Sequence, residues 1–297
     1  MLVNQEVGLT FLEEPTTPDR LKVVKTIGTG KFTVYQAHSA TYNTEFALKI
    51  FPSDEFGTSQ YHKEKLSFHL NHPNVIKNIP IKLHDGRYHG LLTEYAKFGT
   101  FFEFVTGGAL HSDVVIRTYF HQLIDGLEHI HSHGVAHLDL KLQNMLLGSD
   151  MQVKIIDFDQ AQPLADKLVT SGGTKNYRAP EVRTGSCTNL AAADMYSVGV
   201  ILYTMKAQEY PYVEMSDPEA KDLNSYSTFV RNNRAFWNSK VTTKRKEGFF
   251  NKEFIELVNG LLHPNPEKRF TLKQVKASKW FNGPILPYQN EDRNGAQ

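Results

Sequence analysis

Four polar side chains with a fixed spacing lie in the middle of the chain. Asp139 is followed by Lys141 and Asn144 on the same short loop, and Asp157 comes after an apolar stretch. A carboxylate such as that of Asp139 can orient a hydroxyl group and accept its proton, while an ammonium group neutralises the moving charge. An amide oxygen and a second carboxylate suit Mg²⁺, which prefers oxygen ligands. The spacing therefore predicts phosphoryl transfer from a nucleoside triphosphate to a hydroxyl.

A glycine-containing loop and a lysine nearer the amino terminus fit the same chemistry. Gly28 and Gly30 follow a predicted strand, and residues without a Cβ let backbone N–H groups approach phosphates closely. Lys49 lies among apolar residues of a later strand, where a charge is costly without an anionic partner. Taken alone, these features are also typical of an ordinary hairpin and of a surface lysine at a strand end. Combined with the central motif, they favour a nucleotide site.

The elements that must position these residues change type along the chain. Up to about residue 94, β-branched and aromatic residues predict strands with one helix, and beyond it apolar residues recur at helical spacing. Ser112 is a candidate N-cap of the first long helix. The predicted strands cover 21–27, 33–40, 45–51, 75–83 and 87–95, with a hairpin turn at Asp85-Gly86, and the helices cover 61–70, 113–133, 194–205 and 254–262. The pattern predicts two lobes with a ligand crevice between them.

Composition excludes several classes of partner and location. Lys and Arg number 33 against 32 Asp and Glu, so the formal net charge of +1 gives no general attraction to nucleic acid or anionic membranes. Cys187 is the only cysteine, which excludes an intrachain disulfide and favours a reducing compartment. No signal peptide or membrane-spanning run is apparent in the sequence. We expect a cytoplasmic protein, with the nucleus as the alternative, and the sequence does not define its oligomeric state.

These motifs follow one another in a known order. The segments 27–34, 47–49, 137–144, 157–159 and 173–181 have the order and spacing found in eukaryotic protein kinase catalytic domains, which the chain resembles over about residues 21–281. The resemblance implies an α+β, bilobal kinase-like fold. Its domain would cover 21–282, with a small, mostly antiparallel N-lobe with one helix at 21–94 and a larger, mostly helical C-lobe at 97–282. Residues 1–20 would form a flexible segment and 283–297 a tail.

The resemblance also implies roles for individual residues. Asp139 would be the catalytic base, Lys141 would contact the γ-phosphate, and Asn144 and Asp157 would bind Mg²⁺. Lys49 would bind the α and β phosphates of ATP and pair with a glutamate of the 61–70 helix. Glu64 is the candidate for that glutamate, although counting back from His72 places the family position on Lys63. The other nucleotide contacts would be made by Ile27, Gly28, Gly30, Val34, Ala47, Thr93, Glu94, Ala96 and Leu146.

Further motifs concern the substrate. Lys141 and Thr174 resemble the pattern of serine/threonine kinases, which implies protein substrates with Ser or Thr acceptors. Glu181 would form a buried pair with Arg269, as in the family. The family positions that select basic substrates are occupied by non-acidic residues, so a strong preference for such substrates is not expected. Those positions are Thr100, Gln143 and Thr204.

Three substitutions depart from the family pattern. The third glycine of the phosphate loop is missing: Thr33 stands in its place, or one residue is deleted there, and either change should stiffen the loop tip. Asp159 replaces the glycine of the metal-binding triplet. Leu138 stands where phosphorylation-activated members carry arginine, so phosphorylation of Thr170, Ser171 or Thr174 is not expected to be the main activating step. These departures motivate an alternative, a pseudokinase scaffold that binds partners without phosphotransfer. A small-molecule kinase is a third option, against which the segment 173–181 argues.

Overall fold

The computed structural model describes residues 6–11, 20–83, 88–110, 112–167, 172–212, 225–244 and 248–287. These residues form two compact units. The first consists of the described residues up to 101 together with Asp125–Lys167, and the second of Phe102–Ile124 together with the described residues from 172 onward. The lobe boundaries expected near residue 96 and the expected terminal segments stay predictions. The hairpin turn at Asp85-Gly86 and the residues Thr170 and Ser171 lie outside the described residues.

Six strands of the first unit form a closed antiparallel barrel with the order β1-β2-β3-β4-β6-β5. The sequence pattern predicts five of them and not β1, which pairs with both β2 and β5. Strand β5 begins four residues later than predicted, because Val75 is bridged to Ile155 and the N–H of Ile76 donates to the carbonyl of Ile155, outside the barrel. The strands are β1 (Glu6–Phe11), β2 (Arg20–Thr29), β3 (Thr33–Ser39), β4 (Thr44–Phe51), β5 (Ile79–Leu83) and β6 (Tyr88–Glu94).

Alternation along β4 and β6 assigns their side chains to two faces. Leu48 lies opposite Leu92 on the inner face and is fully buried in a cluster with other aliphatic residues of the barrel. The intervening positions point to the outer face, because successive side chains of a strand alternate. Ala47 and Lys49 therefore lie on the face where Thr93 is the cross-strand neighbour of Ala47.

The single helix of the barrel region, α1 (Glu55–Glu64), begins six residues before the predicted start and continues as a 3-10 turn at Lys65–Ser67. Asp54 caps it, since its Oδ1 accepts the N–H of Gly57 at 2.6 Å. A Cβ at Gly57 would lie 2.3 Å from the carbonyl oxygen of Pro52, so no larger residue fits this tight approach to β4. Tyr61 packs on the outer face of the barrel against Phe51, with ring centroids 5.5 Å apart.

The remaining described elements are mostly helical, and the predicted long helix is present as α3. Ser112 Oγ accepts the N–H of Val115 at 3.4 Å, as expected of an N-cap, and the helix ends before Gly134, whose φ is +74°. The elements are α2 (Phe101–Thr106), α3 (Asp113–Ser132), β7 (Val135–Ala136), β8 (Met145–Leu147), β9 (Val153–Ile155), β10 (Gln162–Pro163), α4 (Pro180–Arg183), α5 (Leu190–Ala207), α6 (Tyr226–Arg231), α7 (Asn233–Lys244), α8 (Lys252–Leu261) and α9 (Leu272–Lys276).

The second unit is organised around α5, which the sequence predicts as a buried helix. Nearly every side chain of α5 is buried, including the fully buried carboxyl group of Asp194. Gly199 allows this packing, because a Cβ there would lie 2.8 Å from side-chain atoms of Leu261 and Leu262. The antiparallel sheet with one helix and the largely helical second unit agree with the α+β class. Among the described residues, no helix combines the length and apolar character needed to cross a bilayer.

Four histidines of the first unit lie close together. The His129 ring stacks 5.1 Å from that of His72 and lies 4.2 Å from that of His133, which is 5.7 Å from His69. His129 Nε2 also accepts the N–H of Asn71 at 3.2 Å. Burial, followed by the positive fields of the other three histidines, lowers the pKa of His129. This side chain therefore takes up a proton less readily than a histidine in the unfolded chain.

We expect this cluster to make the protein less stable in mild acid. The unfolded chain protonates His129 near pH 6.5, whereas the folded chain does so only at lower pH, so the unfolded state binds more protons below about pH 6.5. Stability should be complete above that pH and fall as the pH drops toward the folded pKa. Thermal unfolding between pH 5 and 8 measures the effect. His129→Gln keeps an acceptor for Asn71 and should flatten the slope; an unchanged slope would contradict the assignment.

Candidate active site

Lys49 of β4 connects two carboxylates that lie far from it in sequence. Its Nζ is 2.6 Å from Oε1 of Glu64 on α1 and 2.8 Å from Oδ1 of Asp157, which follows β9. The rings of Phe32 and Phe51 lie 5.7 and 5.4 Å from the same ammonium group. Burial alone lowers the pKa of Lys49, but the two carboxylates raise it above its usual value. Lys49 is therefore a cation held between two carboxylates and two aromatic rings.

Of the two candidate helix residues, Glu64 and not Lys63 faces Lys49. Glu64 is 1% exposed, and its second oxygen, Oε2, accepts the backbone N–H of Phe158 at 3.1 Å. Burial raises the pKa of Glu64, and the field of Lys49 only partly offsets this. The helix, the lysine strand and the Asp157 segment are thus joined through one carboxylate.

Asp157 lies in an unusual backbone conformation. Its φ is +66°, a left-handed value that non-glycine residues rarely adopt and that is frequent at functional sites. Burial raises the pKa of Asp157, but the charge and hydrogen bond of Lys49 outweigh it and the pKa is lowered overall. The following residue, Phe158, is fully buried and packs 5.0 Å from the ring of His137. Asp157 is consequently an ionised carboxylate held in a fixed position.

The loop between β7 and β8 brings Asp139, Lys141 and Asn144 together. Lys141 Nζ donates to Oδ2 of Asp139 at 2.6 Å, and Asn144 Nδ2 donates to the same oxygen at 3.1 Å. Asn144 Nδ2 also donates to the carbonyl of Asp139 at 3.0 Å. These two bonds use only Nδ2 of Asn144, and its Oδ1 is a hard oxygen of the kind that Mg²⁺ prefers. The three residues form one hydrogen-bonded cluster whose carboxylate is 7% exposed.

His137 supports this loop, a role that its position in the motif does not reveal. The N–H of Asp139 donates to His137 Nδ1 at 3.2 Å, and His137 Nε2 lies 2.9 Å from the carbonyl oxygen of Ile156. Because a backbone N–H can only donate, Nδ1 is the acceptor and Nε2 carries the proton. Leu138 between them has a φ of +62°, so the histidine holds a strained backbone in place.

The phosphate loop is short and is anchored at its tip. Pairing of β2 with β3 continues to Thr29 and Thr33, so only Gly30, Lys31 and Phe32 form the turn. Thr33 therefore belongs to the ladder, as expected of a stiffened loop. Phe32 is 8% exposed and packs 4.8 Å from Phe51. The contact of Phe32 with Phe51 anchors the turn to β4, so the turn can move little unless Phe32 leaves this position.

The other residues expected to contact nucleotide lie on strands β2, β3, β4, β6 and β8 or just after them. Val34 pairs with Lys49 across β3 and β4, and Ala47 pairs with Thr93 across β4 and β6. Leu146 is bridged to Thr100 just beyond β6. Most of these side chains are half-buried, unlike the fully buried inner face of the barrel. The half-buried residues are Gly28, Val34, Ala47, Thr93, Ala96 and Leu146, while Ile27, Gly30 and Glu94 are exposed.

One contact was not anticipated from the sequence. Lys31 Nζ donates to Oε1 of Gln60 at 2.7 Å and lies 2.9 Å from Oδ2 of Asp159. The phosphate loop, α1 and the segment after Asp157 are therefore linked through one ammonium group. The separation of Lys31 and Asp159 along the chain, 128 residues, explains why no local pattern predicts the pair.

The residues present suit a Mg²⁺-bound triphosphate. Space is open where a Cβ of Gly30 would point, so phosphates can approach the turn. Asn144 and Asp157 offer an amide oxygen and an ionised carboxylate, whereas no three His, Cys, Asp or Glu side chains among the described residues form a metal site by themselves. Mg²⁺ commonly binds through one or two carboxylates plus substrate phosphates, so this donor set fits.

Comparison with known proteins supports the same classification. The protein kinase domain family matches residues 21–281 of the chain. CBL-interacting serine/threonine-protein kinase 8 of Arabidopsis thaliana is 34% identical over 215 residues, covering 68% of this chain and 45% of that protein. CBL-interacting protein kinase 24 of Oryza sativa subsp. japonica is 31% identical over 294 residues, covering 93% and 59%. Serine/threonine-protein kinase SRK2C of Arabidopsis thaliana is 32% identical over 279 residues, covering 91% and 78%.

The chain spans about half the length of the two CBL-interacting kinases, so their activity as whole proteins is not transferred by similarity alone. The match to the kinase domain, however, covers most of this chain and includes every residue of the site described above. Two of these three relatives are named serine/threonine-protein kinases, and the chain belongs to the protein kinase family.

Proposed function

We propose that the protein transfers the γ-phosphoryl group of ATP to Ser or Thr hydroxyls of protein substrates in a Mg²⁺-dependent reaction, with Asp139 as the base. The observation that carries this proposal is the position of Lys49 between Glu64 and Asp157. Protein kinases need both the lysine–glutamate pair and a correctly placed metal-binding aspartate for phosphotransfer. Lys49, Glu64 and Asp157 lie within one compact unit, which supports the proposal.

The roles of the chain's own residues follow from their contacts. Lys49 would bind the α and β phosphates, with Glu64 fixing its direction. Asp139 would accept a hydrogen bond from the substrate hydroxyl and take its proton as the new bond to the γ-phosphorus forms. The bond from the γ-phosphorus to the β–γ bridging oxygen breaks in the same transfer, and ADP leaves with that oxygen. Lys141, 2.6 Å from Asp139, would neutralise charge on the transferred group. Asn144 and Asp157 would hold Mg²⁺, which when bound neutralises the phosphate oxygens.

The substrate class rests on the loop and on the relatives. Lys141 donates a hydrogen bond to Asp139, the proposed base. A lysine two residues after this aspartate resembles the pattern of serine/threonine kinases. SRK2C and CBL-interacting kinase 8 carry serine/threonine-protein kinase in their names. The alternative of a scaffold without phosphotransfer is disfavoured, because the charged groups needed for transfer are assembled. ATP and Mg²⁺ are therefore proposed as substrate and cofactor.

Phosphotransfer to a generic protein substrate tests the proposal, with Lys49→Met as the key variant. We expect the native chain to incorporate phosphate on Ser and Thr in the presence of Mg-ATP, and to stop when EDTA removes the metal. Lys49→Met removes the cation bonded to both Glu64 and Asp157, so activity should fall by about 100-fold or more, comparable to loss of a preorganised charge.

The matched control for this variant is Lys22→Met, which removes an exposed lysine from the same barrel. It should keep native activity and native nucleotide affinity. Nucleotide binding without any phosphate transfer by the native chain, across several protein substrates, would contradict the proposal and support the scaffold. Transfer to tyrosine alone would refute the substrate class.

A further inference from the structure

The Lys31–Asp159 contact involves a substitution that is otherwise unexplained. Asp159 occupies the position of the glycine in the family's metal-binding triplet. Both of its carboxylate oxygens have a partner: Oδ2 pairs with Lys31 at 2.9 Å, and Oδ1 accepts a hydrogen bond from Gln160 Nε2 at 3.1 Å. Asp159 is 8% exposed, so losing the lysine would leave a carboxylate with little access to water. The pair therefore resists separation more than an exposed surface pair does.

The geometry also restricts the phosphate loop. Lys31 is the central residue of the three-residue turn between β2 and β3, and the neighbouring Phe32 packs against Phe51 and stacks 5.8 Å from Phe56. One side of the turn is thus tied to α1 and β4 by aromatic contacts, and its tip is tied to Asp159 by charge. Lifting the turn requires both sets of contacts to break.

We propose that Lys31 and Asp159 form a latch that holds the phosphate loop closed over bound nucleotide and sets the rate at which nucleotide leaves. Both are positioning residues, since they act through the loop and not on the reacting atoms. The inference rests on the nucleotide binding that the proposed function includes, because the latch can retain only a nucleotide that binds. Gln60 is the third member and orients Lys31 from α1.

Two measurements with the full chain test the latch. Hydrogen–deuterium exchange of the backbone at 28–33, without nucleotide, reports whether the loop is held. Stopped-flow release of a fluorescent ATP analogue with Mg²⁺ reports whether the loop retains nucleotide. We expect Lys31→Met and Asp159→Asn each to raise both rates by about fivefold, the upper range for a partly exposed ion pair.

A double-variant series separates a latch from a general loss of structure. Lys31→Met combined with Asp159→Asn should have no larger effect than either change alone, because the second removes a contact that is already absent. The charge swap Lys31→Glu with Asp159→Lys should restore slow release, since the amide of Gln60 can rotate to donate to the carboxylate introduced at position 31. If Lys31 and Asp159 had only separate structural roles, the effects of the two substitutions would add, and the charge swap would not restore slow nucleotide release.

The controls are exposed charges of the same unit. Lys25→Met on β2 and Asp166→Asn beyond β10 should leave exchange and release at native rates. Unchanged rates in Lys31→Met and Asp159→Asn, additive losses, or failure of the charge swap would each overturn the latch. Absence of nucleotide binding by the native chain would overturn it as well. Absence of phosphotransfer with binding and latch effects intact would overturn only the proposed function.

Discussion

Asp139→Asn is expected to bind Mg-ATP with native affinity and to lose phosphotransfer by about 10²–10⁴-fold in kcat. Asparagine has the shape of aspartate, and its oxygen can still accept from Lys141 and Asn144, which lie 2.6 and 3.1 Å from the carboxylate. It cannot accept the proton of the substrate hydroxyl. The change therefore removes a step of the reaction without removing a nucleotide contact.

Steady-state phosphorylation of a protein substrate, together with equilibrium binding of a fluorescent ATP analogue, separates these effects. Asp150→Asn serves as the control, because its carboxylate is exposed in the turn between β8 and β9 and should not affect catalysis. Activity of Asp139→Asn within a few-fold of native would show that Asp139 is not the base. A parallel loss of nucleotide affinity would instead show that the substitution disturbs the site.

The catalytic loop is the part of the site that the sequence describes best. Asp139, Lys141 and Asn144 lie within six consecutive residues, and their mutual hydrogen bonds are local. The spacing alone therefore limits how they can be arranged. Asp157 is separated from them only by the short hairpin of β8 and β9, which ends two residues before it and returns the chain to the start of β8, next to Asn144.

The start of α1 shows why the sequence pattern missed the first part of this helix. Its buried positions are Gly57, Gln60, Tyr61 and Glu64, which have helical spacing but only one apolar member. The face is polar because it carries partners for the lysines: Gln60 for Lys31 and Glu64 for Lys49. Hydrophobic periodicity cannot detect such a face. The capping residue Asp54 is the local signal that marks the helix start.

Contacts between distant segments are the other feature that the sequence does not predict. Asp159 departs from the family pattern, and Lys31 lies in the phosphate loop that lacks its third glycine. No local sequence pattern links the two residues. Their partnership depends on how the barrel positions the loop beside the segment after β9. A charged residue in place of a glycine is nevertheless a useful indication that a compensating opposite charge lies nearby in the fold.

The largest expected effect on stability comes from Arg269→Met in the second unit. The guanidinium group of Arg269 donates to both oxygens of Glu181, at 2.6 and 3.0 Å, and to the carbonyls of Ala192 and His263, at 2.7 and 3.0 Å. Glu181 is 8% and Arg269 3% exposed, so the pairing expected from the sequence is present and shielded from water. Removing one partner leaves a buried charge, which costs about 3–5 kcal/mol.

Urea unfolding followed by tryptophan fluorescence measures this loss of stability. Lys273→Met is the control: it removes an exposed cation from nearby α9 and should change the free energy of unfolding by less than about 0.5 kcal/mol. Arg269→Met with Glu181→Leu should recover part of the loss, because removing both charges of a buried pair is often nearly neutral. Recovery would show that the cost of the single variant is the unpaired carboxylate of Glu181. A double variant as unstable as the sum of both single variants would show that the lost backbone bonds of Arg269 dominate instead, and the buried charge would not be the cause.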